Sequence, residues 1–352
     1  MVAKSIVKWI KWCKWIVSPL AVLVLLITKY RHFLFDIGLL KSNSLPVFTV
    51  VVGNLRLGGT GKTPFVHYLS TLFTDEMGAI LLRGYKRKSR GFRAVDVSSN
   101  PEQVGDEAML HVQKKPIHFT VYVGENRYEA GLQILKNKPS TRVILLDDGF
   151  QHRALKPTLS IVLTSFHAPF FSDFPFPLGH LREGRSALKR ADILLITHCP
   201  EDLPREQKEY WTQKCRSYLY LSTPIFFSNT LYGVPYSLNY RKKDILSSKA
   251  KIVLVAGLAD PVSFFNSARE HFFVEATFFF PDHHIYKVEE IKKIVDAYPG
   301  VPVVITEKDA VKWKFLQLDT DLPIFVWPIS IHIQNEDEFK LYILGKYRAF
   351  QG

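Results

Sequence analysis

Gly58-Gly59-Thr60-Gly61-Lys62-Thr63 is a run of residues suited to holding phosphate. Backbone N–H groups of 58 to 61 can form a concave nest, because three of the four residues lack a Cβ. Lys62 would neutralise the β- and γ-phosphates of a nucleotide, and the Thr63 hydroxyl would ligate Mg²⁺. The usual spacing G-x-x-x-x-G-K-[ST] asks for glycine at position 56, where this chain has Arg56. The nest itself needs only the later glycines, so the chemistry survives the departure.

Four other groups of residues carry candidate chemistry. Asp147 and Asp148, in LLDDGFQH, end an apolar run, which is where P-loop enzymes keep a metal-holding aspartate; a helix cap is the competing reading. Asp106 and Glu107 open a helical stretch, and two adjacent acids exceed what capping requires. FPDHHIY puts Asp282 beside His283 and His284. With no cysteine near, that pattern suits a carboxylate-tuned base for removing a hydroxyl proton better than a zinc site. Arg182 and Arg185, in GHLREGRSALKRAD, suit a transferring phosphoryl group. The basic loop RGYKRKSRG (83–91) suits an anionic substrate or a solvated surface, and Thr306-Glu307-Lys308-Asp309 reads as a site or a structural ion-pair cluster.

These residues need elements to position them. VFTVVV (47–52) has the apolar, β-branched character of a buried parallel strand. Residues 63–73 follow with apolar positions at helical spacing, and Pro64 is tolerated in a first turn. Strand, glycine loop and helix thus occur in the order that places phosphate at a helix N-terminus. Further strand-like runs start at Gly78, Arg142, Leu159 and Ala191, with helical stretches between them. The pattern predicts a doubly wound α/β sheet. Residues 224–250 become tyrosine-rich and polar, with Gly233, Pro235 and Asn239, and read as a linking hairpin. A second, smaller α/β unit is expected over 251–352, its last helix able to return to the first domain, which spans 36–223.

The 352 residues, 47% hydrophobic, can bury a large core. Cys13, Cys199 and Cys215 are far apart and form no C-x-x-C, which argues against a disulfide framework or zinc site. A net charge of +13 calls for an anionic partner: nucleic acid, membrane or phosphorylated substrate. Residues 1–35 hold six basic residues and no acid. Lys4, Lys8 and Lys11 share one helical face, Ile6, Ile10 and Cys13 the other, and Trp9, Trp12 and Trp15 suit a water–lipid boundary. The uncharged run from Ile16 to Ile27 is shorter than the ~20 residues a spanning helix needs. A retained helix lying on or dipping into the cytoplasmic leaflet is the favoured reading; a signal peptide and a spanning segment are the alternatives.

Eight ordered segments, GNLRLGGTGKTP, RGYKRKSRGF, GDEAML, DDGFQHR, GHLREGRSALKRAD, AGLADPVSFF, PDHHIY and TEKDAVK, together resemble the tetraacyldisaccharide 4′-kinase family of lipid A assembly. The resemblance implies an N-terminal P-loop kinase domain and a smaller α/β domain joined by a β linker, with its phosphate loop also lacking the first glycine. It implies that Arg56, Leu57, Gly58, Gly59, Thr60, Gly61, Lys62 and Thr63 cradle ATP, with Thr63 on Mg²⁺. Asp106 would act with His283 on the sugar hydroxyl, meeting it across an interdomain cleft. Asp147, Asp148 and Glu107 would organise metal and base, and Arg127 and Arg182 would contact phosphate. The implied reaction is phosphorylation of the 4′-hydroxyl of a tetraacyldisaccharide 1-phosphate at the cytoplasmic face of the inner membrane, whose anionic surface the basic start would meet. A membrane-associated ATPase switch of the ParA/MinD type is the rival, but such loops carry lysine where this chain has Leu57. A nucleic-acid binder would interleave basic and stacking aromatic residues on one surface, whereas the aromatics here sit mainly in the N-terminal helix and in strand-like runs such as Phe278-Phe279-Phe280.

Overall fold

The structure is a computed structural model and describes residues 2–238, 246–316, 318 and 322–352, with side chains from Ser18 onward. The opposed faces read for Lys4 to Trp15 concern side chains outside the described residues, as does Asn239 of the linking stretch.

The chain begins with a 35-residue helix, α1 (Val2–Asp36). It continues through β1 (Phe48–Asn54), α2 (Lys62–Thr71), β2 (Gly78–Leu82), β3 (Arg93–Val95), the single turn α3 (Pro101–Val104) and α4 (Asp106–Lys114). Next come β4 (Phe119–Val123), α5 (Arg127–Asn137), β5 (Val143–Asp147), β6 (Leu159–Ser165), β7 (Ile193–Thr197), α6 (Arg205–Arg216) and β8 (Ile225–Tyr232). The remainder holds β9 (Tyr236–Ser237), β10 (Lys251–Gly257), α7 (Val262–His271), β11 (Phe273–Phe280), α8 (Val288–Ala297) and β12 (Val303–Thr306). α9 (Glu307–Trp313), β13 (Ile324–Trp327), β14 (Ile329–Ile333) and α10 (Glu336–Gln351) complete it.

The elements group into two compact units that are not consecutive stretches of chain. One holds Met1–Lys62, Arg127–Asn229 and Ile333–Gly352; the other holds Thr63–Asn126 and Thr230–His332. In the first, β1 pairs in parallel with β5 on one side and β6 on the other, and β7 and β8 extend the run beyond β6. Every residue of β1, β5, β6 and β7 is buried, as expected for parallel strands covered on both faces. From α10, the rings of Tyr347 and Phe350 meet Phe48 edge-on at 5.2 and 5.8 Å, closing the start of β1.

In the second unit, β4 lies between parallel β2 and antiparallel β3. A five-stranded sheet in the order β11-β10-β12-β13-β9 carries the later part, parallel except for β9. Its two faces bury separate clusters, one around Val253, Ile291, Ile305 and Trp313, the other around Ile252, Phe264 and Trp327. β12 passes directly into α9, where the Thr306 hydroxyl accepts the Asp309 amide at 3.1 Å and caps the helix.

α1 outruns the apolar stretch read from Ile16 to Ile27. Lys29 and Arg31 interrupt the hydropathy but not the helical period, and Ser18–Asp36 is long and apolar enough to cross a membrane by length and composition. Leu20, Leu23, Leu26, Ile27 and Phe33 are all more than half exposed.

Candidate active site

The glycine loop joins β1 to α2, so Lys62 and Thr63 open a helix whose N-terminus favours an anion. Gly58 and Gly61 have φ of 108° and 73°, the left-handed range that a β-carbon disfavours. The loop is pinned from inside: Asn54 Nδ2 donates to Thr60 Oγ1 at 2.9 Å, and Thr197 Oγ1 donates to the Thr60 carbonyl at 3.1 Å. It is pinned from outside by the GHLRE segment, with Leu57 N donating to His180 O at 2.7 Å and Arg182 N to Leu55 O at 2.8 Å. Arg56, at the anomalous position, directs its Nε onto Asp173 Oδ2 at 2.6 Å. A side chain is accommodated there because it has a partner away from the nest.

Asp147 ends β5 opposite Val52 of the loop's own strand and is 3% exposed. Asp148 follows in the left-handed region, φ 54°, which turns its carboxylate out of line with the strand. Arg182 Nη1 donates to both oxygens of Asp148 at 2.8 and 2.9 Å, and Lys62 Nζ lies 3.8 Å from the first. Burial would raise the Asp148 pKa, but Lys62, Arg182 and Arg127 together hold it below the ordinary value. The DDGF turn presses closely on β1: a Cβ at Gly53 would lie 2.4 Å from that of Phe150. Arg127 opens α5, and its amide donates to His152 Nε2 at 3.3 Å.

A second constellation lies wholly within the other unit. Asp106 begins α4, and its two oxygens sit 3.1 and 2.9 Å from His283 Nδ1. The first of them also accepts the Glu107 amide at 3.0 Å. His283, in the left-handed conformation at φ 63°, follows β11. Lys308 Nζ stands 3.4 Å from His283 Nε2, 2.8 Å from Asp282 Oδ1 and 3.8 Å from Glu107 Oε1. Lysine only donates, so Nε2 accepts and the imidazole proton rests on Nδ1, facing Asp106. Burial would raise the Asp106 pKa, yet the His283 hydrogen bond and the charges of Lys308 and Lys312 bring it to about 2. Burial would lower that of Lys308, but Glu107, Asp106 and Asp282 outweigh it and raise it.

The expected interdomain meeting of Asp106 and His283 is therefore not what is observed: both belong to one compact unit and are already hydrogen-bonded. Lys308 belongs to the strand-end segment that the sequence leaves open between a site and a structural ion-pair cluster. Its neighbours do fit the latter: Glu307 accepts Lys114 at 2.6 Å, and buried Asp309 accepts Gly257 N and Tyr286 Oη. Lys308 alone turns to the imidazole. The basic loop is likewise divided: Arg87 and Lys88 pair with Glu125 and Glu102, while the exposed Tyr85 ring lies 5.8 Å from that of His283.

Asp147 and Thr63 offer the hard oxygen donors that Mg²⁺ takes. Among the described residues no group of three or more His, Cys, Asp or Glu could enclose a metal. Glu107, the third expected ligand, faces Lys308 instead.

The sequence model of the tetraacyldisaccharide-1-P 4′-kinase (LpxK) family matches residues 13–348. The tetraacyldisaccharide 4′-kinase of Flavobacterium johnsoniae is 39% identical over 94% of this chain and 96% of its own length. That of Bacteroides thetaiotaomicron is 34% identical over 92% and 90%. The crystal structure of LpxK from Aquifex aeolicus in complex with ATP superposes with a TM-score of 0.76 at 29% identity, covering 95% of this chain and 99% of that one. The chain belongs to the tetraacyldisaccharide-1-P 4′-kinase family.

Proposed function

We propose that the chain transfers the γ-phosphoryl group of ATP to the 4′-hydroxyl of a tetraacyldisaccharide 1-phosphate, the lipid A precursor. Family membership carries this reading, and the ATPase-switch alternative falls with it. Residues 56–63 hold the triphosphate, with Lys62 placed to offset charge as the phosphoryl group moves. Asp148 keeps Lys62 and Arg182 on one carboxylate, which presents two cations on the phosphate side of the site. Thr63 and Asp147 would hold Mg²⁺, which supplies further charge neutralisation when bound.

A sugar hydroxyl is a weak nucleophile, so a nearby group must take its proton as the bond forms. Asp106, held ionised by the His283 hydrogen bond and the nearby lysines, faces the Nδ1 side of the ring. Its part is to fix the Nδ1–H tautomer, which leaves the lone pair on His283 Nε2 to accept the proton once Lys308 yields that position. The Asp106–His283 hydrogen bond is the observation that supports a general base here.

The acceptor is an amphiphile, and α1 has the length and apolar character to associate with a membrane. The proposed location is the cytoplasmic face of the inner membrane, with the basic residues of the first 35 positions meeting its anionic surface. The direct test mixes the protein with γ-labelled ATP and the disaccharide 1-phosphate. Label on the glycolipid is expected, and label released only as inorganic phosphate overturns the reading.

A further inference from the structure

The inner end of α1 is tied into the phosphate site by side chains that the transfer reaction, as described above, does not use. His32 Nε2 lies 2.7 Å from Glu183 Oε2, and Arg190 Nη2 donates to the same oxygen at 2.6 Å. Glu183 is 2% exposed. Burial would raise its pKa, but the His32 hydrogen bond and the Arg190 charge hold it below the ordinary value. Its other oxygen accepts Gln151 Nε2 at 2.8 Å. That amide nitrogen also donates to the carbonyl of Asn54, the last residue of β1, at 2.8 Å. The Gln151 amide oxygen faces Arg182 Nη1 at 3.4 Å, and Arg182 in turn holds Asp148. A continuous chain of polar contacts therefore runs from a membrane-suited helix to the carboxylate against which Lys62 rests.

The tautomer of His32 follows from its neighbours. Arg153 Nη1 stands 3.3 Å from His32 Nδ1 and donates to the His32 carbonyl at 3.0 Å. A guanidinium can only donate, so Nδ1 accepts and the ring proton lies on Nε2, aimed at Glu183. Arg153 also pairs with Asp36 at 2.6 Å and packs over Phe35, which fixes this last turn of α1. Removing the His32 donor would leave a buried carboxylate short of one partner, free to settle on Arg190 and release Gln151.

We propose that His32 is a positioning residue for phosphoryl transfer: it fixes Glu183, Glu183 fixes Gln151, and Gln151 sets both the end of β1 and the Arg182 guanidinium. The helix that suits the membrane thus also holds the geometry of the phosphate site. The proposal rests on the kinase reading above.

The test uses the full chain and detergent-dispersed tetraacyldisaccharide 1-phosphate, so that attachment to a bilayer plays no part. His32→Ala is expected to lower kcat about tenfold, with KM for ATP changed by less than about twofold. His32→Gln, whose amide can still donate to Glu183, should recover most of that loss. On a Glu183→Gln background, His32→Ala should lower kcat little further, because the two act in series. Flotation on anionic phospholipid vesicles should be the same for all the variants. Wild-type kcat in His32→Ala, equal damage from Ala and Gln, or fully multiplicative losses in the double variant would each overturn the proposal. So would a defect confined to vesicles and accompanied by lost flotation, which would make His32 part of the anchor alone. Failure of the wild-type chain to label the lipid would instead remove the kinase reading.

Discussion

His283 Nδ1 and Asp106 Oδ2 lie 2.9 Å apart inside a single compact unit, although 177 positions separate the residues in sequence. Under the proposed function, the pairing would divide the work of one base between two residues. In the proposed reaction the carboxylate would set the tautomer and steady the imidazolium, and the ring would take the proton.

Asp106→Ala and His283→Ala are each expected to cut turnover by roughly a hundredfold or more, with ATP affinity little changed. Because the pair acts as a unit, the double variant should be barely worse than either single one. Steady-state kinetics of the three variants decide this, and fully multiplicative losses would separate the two roles.

The same contact predicts a response to acid. The Asp106 pKa falls from its ordinary 3.8 to about 2 in the folded chain. A lowered carboxylate pKa stabilises the fold above the unfolded value, and that stability is lost as pH falls through the folded one. The contribution is on the order of 2 kcal/mol, present above about pH 4 and gone near pH 2. Denaturant unfolding of wild type and Asp106→Asn should therefore converge as pH is lowered across that window. A constant gap would show that the aspartate is not ionised in the folded state.

The strand, glycine loop and helix, and the aspartates at the end of β5, were legible in the sequence because their signals are local. Gly58 to Thr63 are contiguous, β1 is a largely apolar, β-branched run, and Asp147 and Asp148 directly follow an apolar run. What stayed hidden depends on contacts distant in sequence. Arg56 looks like an error in the loop until Asp173, 117 positions on, is found to hold its guanidinium. Lys308 sits in a segment whose N-cap threonine and flanking acids all point to a structural role, and its partners lie near positions 107 and 283. Glu183 stands between two arginine-containing motifs as one more charge; nothing local marks it as buried beneath His32. The uncharged run from Ile16 to Ile27 understates the apolar length of α1, because Lys29, Arg31 and His32 dilute it while leaving the helix intact.

Lys62→Ala is expected to remove most activity, since the site loses the cation placed to offset charge on the moving phosphoryl group. The fold should survive: Asp148 keeps Arg182, whose Nη1 lies within 2.9 Å of both its oxygens. Transfer of labelled phosphate by a variant with an unchanged melting temperature is the measurement. Near-normal turnover would mean the loop is not the catalytic phosphate site.

Lys308 supplies the last prediction, because its position makes opposite demands on the chemistry. Its ammonium is 3.4 Å from the lone pair that the base must use, yet it is also the shared counterion of Asp282, Glu107 and Asp106. Replacing it by methionine preserves length and removes the charge. With no cation facing Nε2 and the Lys308 charge lost beside Asp282, Glu107 and Asp106, the protonated imidazole is favoured, and a protonated ring cannot act as base. The acid limb of kcat/KM should therefore move to higher pH by about one unit or more in Lys308→Met, while Lys308→Arg, which keeps the charge, should hold the limb near its wild-type position. If Lys308→Met instead lowers the plateau and leaves the limb in place, the lysine acts on the substrate rather than through His283.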